Sequence, residues 1–257
     1  MPLLKGVGVS WLTPTKLHHL RAIMEMHVKI TKAVLNKNPH YAREYHFIDA
    51  TAGPGKYRAK WKTVEGSPLV FLSVAENEQL RYRADLIEKE PGNVALLRGH
   101  LPKLGCGKAS IHPGEYGPII RKLLSSKDQT QLGLLYVDPS TGIPDFDTVA
   151  YVSRMRPRME VLMYLSATNL KRNHGITAQL LSDHIAEIDK TQWLVRRPVS
   201  SDRHQWTFIL GSRTNLFKDY GRIEFYPLDS DEAQAFFPKL NLSAKQRMEQ
   251  FQPRLFD

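Results

Sequence analysis

A single cysteine, Cys106, stands in a chain of 257 residues. One thiol excludes an internal disulfide and any zinc site built on clustered thiolates, and it points to a reducing compartment. It also argues against cytosine C5 methylation, whose nucleophilic cysteine normally follows a proline, because Cys106 lies between Gly105 and Gly107. No run of about 18 apolar residues is present to span a bilayer. Met1-Pro2-Leu3-Leu4, running into Lys5 and glycines, does not resemble a signal peptide. The expectation is a soluble, cytoplasmic protein without a membrane partner. The histidines, His18-His19 included, lack metal-ligand spacing, so no metal is expected.

Hydrophobic residues make up 42% of the chain and charged residues 24%, ordinary proportions for one globular α/β domain with additions. Positive charge is in excess: 36 Lys and Arg against 26 Asp and Glu leave a net +10. Such a surplus favours a polyanionic partner, since each basic side chain that meets a phosphate releases counterions. Nucleic acid is the expected partner, with ordinary solubility as the bland alternative.

Thr13-Pro14 opens a helix over residues 13–35, with a side-chain cap and a proline where its missing N–H costs nothing. Leu17, Leu20, Ile23 or Met24, and Val28 form its apolar stripe, and Lys16, Arg21, Lys29 and Lys32 lie largely off it. Apolar strands over 45–50, 83–87, 109–112, 132–137 and 160–165 alternate with helices over 67–75, 116–125 and 147–155. That alternation predicts a Rossmann-like, doubly wound, mostly parallel sheet, with ligands beyond the carboxyl ends of its strands. A helix over 177–189 precedes strands over 193–197, 206–210 and 222–226, read as an antiparallel edge. Residues 1–44 are expected to form a helical cover, 45–240 the Rossmann-like domain, and 241–257 a C-terminal helix and tail.

The first strand ends in Asp49 and runs into Thr51-Ala52-Gly53-Pro54-Gly55. Glycines in a strand-to-helix turn let main-chain N–H groups approach a ligand and permit positive φ. The turn lacks the G-x-G-x-x-G spacing of nicotinamide sites, and no G-K-[ST] follows as in a P-loop. Glu88, Glu115 and Asp138 end the next three strands. Turn, second-strand acid, third-strand acid and Asp-Pro after the fourth strand arrive in the order of class I methyltransferases. S-adenosylmethionine is therefore the expected cofactor, gripped by Asp49, Ala52, Gly53, Gly55, Glu88 and Glu115. In this reading Glu88 accepts the ribose hydroxyls, and Asp49 holds either the methionyl amino group or a turn N–H. The 39 residues from Asp49 to Glu88 exceed the roughly 20 usual between turn and acid, so an insertion must be absorbed. Residues 56–65 supply part of it. Tyr57 and Trp61 there cover the cofactor, stack on a substrate base, or merely anchor a solvated basic loop.

Trp11, Lys16-Leu17, Phe47-Ile48-Asp49 with Ala52-Gly53-Pro54-Gly55, Gly66-Ser67-Pro68 and Val137-Asp138-Pro139 together resemble the three-Cys-motif partner proteins, a methyltransferase-like group. The resemblance covers residues 11–170. It implies a class I fold and S-adenosylmethionine use, and it gives Ser67 a cofactor contact from a helix N-terminus. Members of that family usually continue Asp-Pro with an aromatic and glycine, whereas this chain has Ser140-Thr141-Gly142.

Asp138, Pro139 and Ser140 form the candidate catalytic segment, where amino-methyltransferases place an acid and a carbonyl against the target amine. Ser140 and Thr141 cannot stack on a base, so Tyr136, Tyr164 or Trp61 would have to. Asn169, Lys171 and Arg172 follow the fifth strand and border the expected substrate mouth, with Arg154, Arg156 and Arg158 adding charge nearby in sequence. Gln252-Pro253-Arg254-Leu255-Phe256 is similar to the peptide with which bacterial replication proteins dock the sliding clamp. In that reading Gln252, Leu255 and Phe256 contact the clamp and DNA is favoured over RNA; in the other, Leu255 and Phe256 pack on their own domain. The expected function is nitrogen methylation of nucleic acid, and the rival is a catalytically inactive nucleic-acid-binding or partner subunit.

Overall fold

The computed structural model describes residues 13–38, 40–59, 62–139, 143–167, 169–170, 180–200 and 205–236. Helix α1 (Thr13–Lys37) is followed by strand β1 (Tyr45–Asp49) and a hairpin of β2 (Lys56–Ala59) and β3 (Lys62–Glu65). Then come α2 (Ser67–Asn77), β4 (Tyr82–Glu88), α3 (Pro91–His100), β5 (Gly107–Pro113), α4 (Tyr116–Leu123), β6 (Gly133–Val137), α5 (Phe146–Met155) and β7 (Met159–Ser166). The rest comprises α6 (Leu181–Ala186), β8 (Gln192–Arg196), β9 (Val199–Ser200), β10 (Gln205–Ser212), α7 (Phe217–Tyr220), β11 (Phe225–Pro227) and α8 (Asp231–Gln234).

The large sheet runs β11-β8-β10-β7-β6-β1-β4-β5. β5, β4, β1, β6 and β7 are parallel, while β10 is antiparallel to β7 and β8, and β11 to β8. β1 and β6 are fully buried because helices cover both faces, β6 as a continuous apolar run and β1 as one interrupted by His46 and ended by Asp49. The chain winds from β1 outward through β4 to β5, then returns to place β6 on the other side of β1. That reversal is the switch point at which an open α/β sheet leaves a crevice beyond its strand ends. Close pairing of β6 with β1 depends on Gly133, since a Cβ there would overlap the His46 carbonyl oxygen.

Alternation along the strands divides the core in two. One face packs Tyr45, Phe47, Ala84, Leu86, Leu134 and Tyr136 against α1 and α2. The other packs Ile48, Ile87, Leu135 and Val137 against α4 and α5. On this second face His46 and His112 both bond Asp85, at 2.8 and 2.7 Å, and Arg83 meets His46.

Three segments stand out among those that depart from the sequence reading. Residues 56–65 lack apolar periodicity yet form the β2–β3 hairpin, which pairs with itself outside the main sheet. Helix α3 buries only Val94 and Leu97, too sparse a stripe to announce a helix. The last strand begins at Phe225, because Gly221–Ile223 makes a 3-10 turn that ends at Glu224 with φ +63°.

Candidate active site

Asp49, Glu88 and Asp138 meet because of strand parity. Asp49 follows Tyr45 and Phe47 at steps of two, Glu88 follows Ala84 and Leu86, and Asp138 follows Leu134 and Tyr136, so all three fall on the face covered by α1 and α2. Asp49 is paired in register with Leu86 and Tyr136. Glu88 and Asp138 therefore project one pleat further past the carboxyl edge, on either side of β1.

The turn after β1 crosses this edge. Gly53 and Gly55 adopt φ of +64° and +78°, the left-handed region that a Cβ disfavours. The Gly53 N–H donates to Glu88 Oε2 at 2.7 Å, and the Glu90 N–H to Oε1 at 2.8 Å. Two main-chain donors thus orient the Glu88 carboxylate and leave each oxygen capacity to accept a further bond. The Ala52 N–H donates to the Ile87 carbonyl, and the Gly66 N–H to the Gly55 carbonyl at 2.7 Å, tying the turn to β4 and to the start of α2. His100 on α3 bonds the Pro54 carbonyl at 2.7 Å. The Thr51 hydroxyl accepts from the Asp138 N–H at 3.0 Å, joining the β1 and β6 edges.

Asp49 is fully buried. Its Oδ1 accepts from the Thr51 N–H at 3.0 Å, whereas Oδ2 has no hydrogen-bond partner. Burial pushes the carboxyl up to about 7; the Ser67 hydroxyl and Thr51 N–H oppose the shift, while Asp138 and Glu88 add to it by repulsion. A cation placed here would restore the ionised form. Ser67 is the first residue of α2, buried beside this carboxyl.

Tyr57 on the hairpin closes over the turn. A Cβ on Gly53 would overlap its hydroxyl, and one on Gly66 would come within 2.8 Å of its ring. Burial raises the Tyr57 phenol well above its ordinary value, helped by Asp138, Asp49 and Glu88 in that order. The hydroxyl therefore faces all three acids and keeps its proton.

Around Asp138 the structure adds a residue that the sequence reading leaves out of the site. Lys16 Nζ lies 2.6 Å from Asp138 Oδ2 and 4.7 Å from the centre of the Tyr164 ring. The Tyr136 hydroxyl donates to the same Oδ2 at 3.0 Å. Lys16 reads as lying off the apolar stripe of α1, yet it stands four, seven and eleven residues before the buried Leu20, Ile23 and His27. That spacing puts it on the inward face, and it is the signal available in the sequence. Tyr136 is buried under Asp138 and cannot present a ring face to a base; Tyr164 is partly exposed at this corner, with Lys16 over its ring and Trp206 and Phe208 packed beside it.

Glu115 stands at the N-terminus of α4 without a side-chain capping bond, exposed and 3.4 Å from Lys89, outside the hydrogen bonds of the acidic trio. Pro139 is buried behind Asp138, and Asn169 is partly buried in the turn of helix after β7. Trp61, Ser140, Lys171, Arg172, Gln252, Leu255 and Phe256 lie outside the described residues. Arg154, Arg156 and Arg158 do not border the mouth: they lie where α5 returns to the amino end of β7, the opposite edge of the sheet. Arg156 is buried there on the Ser126 and Met155 carbonyls, and Arg158 packs over Tyr41.

The mostly parallel sheet, its antiparallel edge and the acid-lined switch point together define a Rossmann-like methyltransferase fold. No protein-family model matches the chain, and no curated protein is similar to it in sequence. Among solved structures, protein LPL1258 from Legionella pneumophila str. Philadelphia 1 aligns with a TM-score of 0.52 at 16% identity, over 76% of this chain and 85% of that one. TYW2 of M. jannaschii, in complex with AdoMet, aligns at 0.39 and 14% identity over 73% and 74% of the two chains. A spermidine synthase in complex with the transition state analogue AdoDATO aligns at 0.47 and 12% identity, over 79% of this chain and 61% of that one. The first of these likenesses concerns the fold alone. Among the described residues, no helix is long and apolar enough to cross a membrane.

Proposed function

We propose that the chain is an S-adenosylmethionine-dependent methyltransferase that acts on a nitrogen of nucleic acid. One observation carries the reading: Asp49, Glu88 and Asp138 converge beyond the switch point, and the buried Asp49 Oδ2 is left without a partner. An orphaned buried carboxylate oxygen is costly unless a ligand completes it, and a cationic ligand suits both its charge and its raised pKa. The residues present fit S-adenosylmethionine. Asp49 receives the methionyl ammonium, Glu88 receives the ribose hydroxyls while its two main-chain bonds hold it still, and the positive φ of Gly53 and Gly55 shapes the turn that presents them, with Tyr57 packed on Gly53 and Leu97 and His100 on Gly55. Ala52 and Ser67 line the same turn and helix start, and Glu115 borders the adenine.

Bound S-adenosylmethionine supplies an electrophilic methyl group on a positive sulfur. Asp138 accepts an N–H of the acceptor nitrogen and orients its lone pair, and Pro139 and Ser140 belong to the same catalytic segment; such alignment supplies much of the rate of a displacement. Tyr57 excludes water, and Trp61 adds a face for a base. The net charge of +10, with Asn169, Lys171 and Arg172 after β7, supports a phosphate-bearing substrate, and the Gln252, Leu255 and Phe256 motif supports DNA and a sliding clamp. The resemblance to three-Cys-motif partner proteins agrees with the cofactor.

Calorimetry tests the core of the proposal. Wild-type protein is expected to bind S-adenosylmethionine and Gly53→Arg to lose it; absence of binding by the wild type removes the reading. Methyl-labelled cofactor with separate DNA, tRNA and protein pools then reads the substrate. The ion pair between Lys16 and Asp138 favours a second reading, an inactive nucleic-acid-binding or partner subunit, for which gel shifts occur without cofactor and no label moves.

A further inference from the structure

The amino edge of the sheet, opposite the acidic crevice, gathers Arg43, Arg81, Lys127, Arg154 and Arg158 on one surface. Strand register sets the row. Tyr45 pairs with Tyr82, and one step before the His46–Gly133 and Gly133–Met159 pairs it is level with Leu132 and Arg158. Arg81 and Arg43 precede that level by one and two residues. Loop contacts close the surface: the Ala42 N–H donates to the Thr130 carbonyl at 3.3 Å, and the Asp128 N–H to the Met155 carbonyl at 3.0 Å. Lys127 and Arg154 each stand one residue before an end of that second bond. Arg158 lies 5.0 Å over the Tyr41 ring and donates to its hydroxyl at 3.0 Å. All five cations are exposed, and the side chains of Arg43, Arg81, Lys127 and Arg154 have no hydrogen-bond or ion-pair partner among the described residues. The acids beside them are engaged: Asp128 Oδ1 accepts from Thr130 and Gln131, and Glu44 faces Arg83 at 3.8 Å. Like charges crowded without counter-charges repel one another until an anion joins them.

Resting on the nucleic-acid reading above, we infer that this row is a docking surface for the phosphate backbone of duplex DNA, separate from the crevice. Neighbouring strands lie about 4.8 Å apart, so the row from β4 through β1 and β6 to β7 spans about 14 Å. That length matches the axial rise of about four phosphates along one DNA strand. Four of the five cations are arginines, whose planar fork takes two oxygens of one phosphate, and Tyr41 holds Arg158 in place for it. DNA is the nucleic acid that the C-terminal motif supports. The eight residues of β7 put about 25 Å between this edge and the crevice, so the row grips a stretch of duplex away from the reacting base. Backbone contacts of this kind carry no sequence information, and binding here is indifferent to base sequence and to S-adenosylmethionine.

Fluorescence anisotropy of a labelled duplex of arbitrary sequence, read across a series of potassium chloride concentrations, tests the surface. The proteins are wild type, the triple variant Arg43→Gln/Lys127→Gln/Arg154→Gln, and a control that removes the same charge elsewhere, Arg98→Gln/Lys218→Gln/Arg222→Gln. The slope of log affinity against log salt, about 0.9 per phosphate contact, is expected to fall by about 2.7 in the triple variant, with affinity about tenfold or more lower in 0.1 M salt. The control should keep the wild-type slope and stay within about threefold in affinity. Equal losses in the two variants overturn the inference, because net charge rather than this row would then hold the duplex, and so does a tRNA bound tenfold more tightly than the duplex. Should the triple variant fail to fold, wild type serves: acylation of Lys127 relative to Lys218, mapped by mass spectrometry, falls when the duplex is added, and an unchanged ratio overturns the surface. The failures remain distinguishable. Duplex binding by wild type that the triple substitution leaves unmoved removes the docking surface alone, whereas no duplex binding by wild type removes the nucleic-acid reading beneath it.

Discussion

Replacing Asp49 by Asn isolates the cost of keeping an acid beneath the turn. The carboxyl sits at about 7 in the fold against 3.8 for an ordinary aspartate, chiefly because it is buried. A raised carboxyl contributes stability that is full below the unfolded value and is lost as pH rises through the folded value. A difference of that size between the folded and unfolded chain corresponds to about 4 kcal/mol once both states are ionised. Worked through the two titrations, the loss is about 1.5 kcal/mol at pH 5 and about 4 kcal/mol at pH 8.5. Asn keeps the shape and cannot ionise, so its advantage over wild type grows by about 2.5 kcal/mol across that interval, roughly 5–10 °C in Tm for a chain of this size. Differential scanning calorimetry of both proteins at half-unit steps from pH 5 to 9 measures it, and groups that titrate elsewhere cancel in the difference. The same substitution is expected to weaken S-adenosylmethionine, whose wild-type affinity rises with pH through 7 as Asp49 ionises. Parallel Tm curves for the two proteins would refute the argument, because they would mean that the acid does not titrate in this range.

Other substitutions separate the roles of neighbouring groups. Glu88→Gln presents an amide NH2 to one of the two main-chain donors that hold Glu88; the nucleotide dissociation constant should rise about 10- to 100-fold by calorimetry, with the far-ultraviolet circular dichroism unchanged. Gly53→Ala adds a Cβ at φ +64° against the Tyr57 hydroxyl, so nucleotide binding is expected to fall below detection while the chain still folds. Asp138→Asn should leave nucleotide affinity within about threefold of wild type and lower single-turnover methyl transfer by about 100-fold or more; equal losses in both would place Asp138 on the cofactor instead. Gly133→Ala, whose Cβ would overlap the His46 carbonyl oxygen, should cost about 3 kcal/mol or more in urea unfolding, with no specific effect on ligand binding in the fraction that folds.

Much of the architecture is legible in the residues because it rests on local signals. The mostly apolar β1 and the continuously apolar β6 mark strands buried on both faces, with Asp49 and Asp138 at their carboxyl ends. Gly53 and Gly55 mark a turn that needs positive φ. Step-of-two spacing within a strand puts Tyr136 and Asp138 on one face before any fold is known. Tertiary structure alone decides which strands are neighbours. It sets β4 and β6 on opposite sides of β1 and so turns three separate acids into one site, a consequence of long-range pairing with no local signature. It seats Lys16 on Asp138 across 122 positions of sequence, folds the Tyr57 hairpin over Gly53, and carries Arg154 and Arg158 to the far edge of the sheet. Propensity and periodicity act over a few residues, whereas charge pairing and closure act through space, which is why the residue types of the site are visible in the chain and the partner of each carboxylate is not.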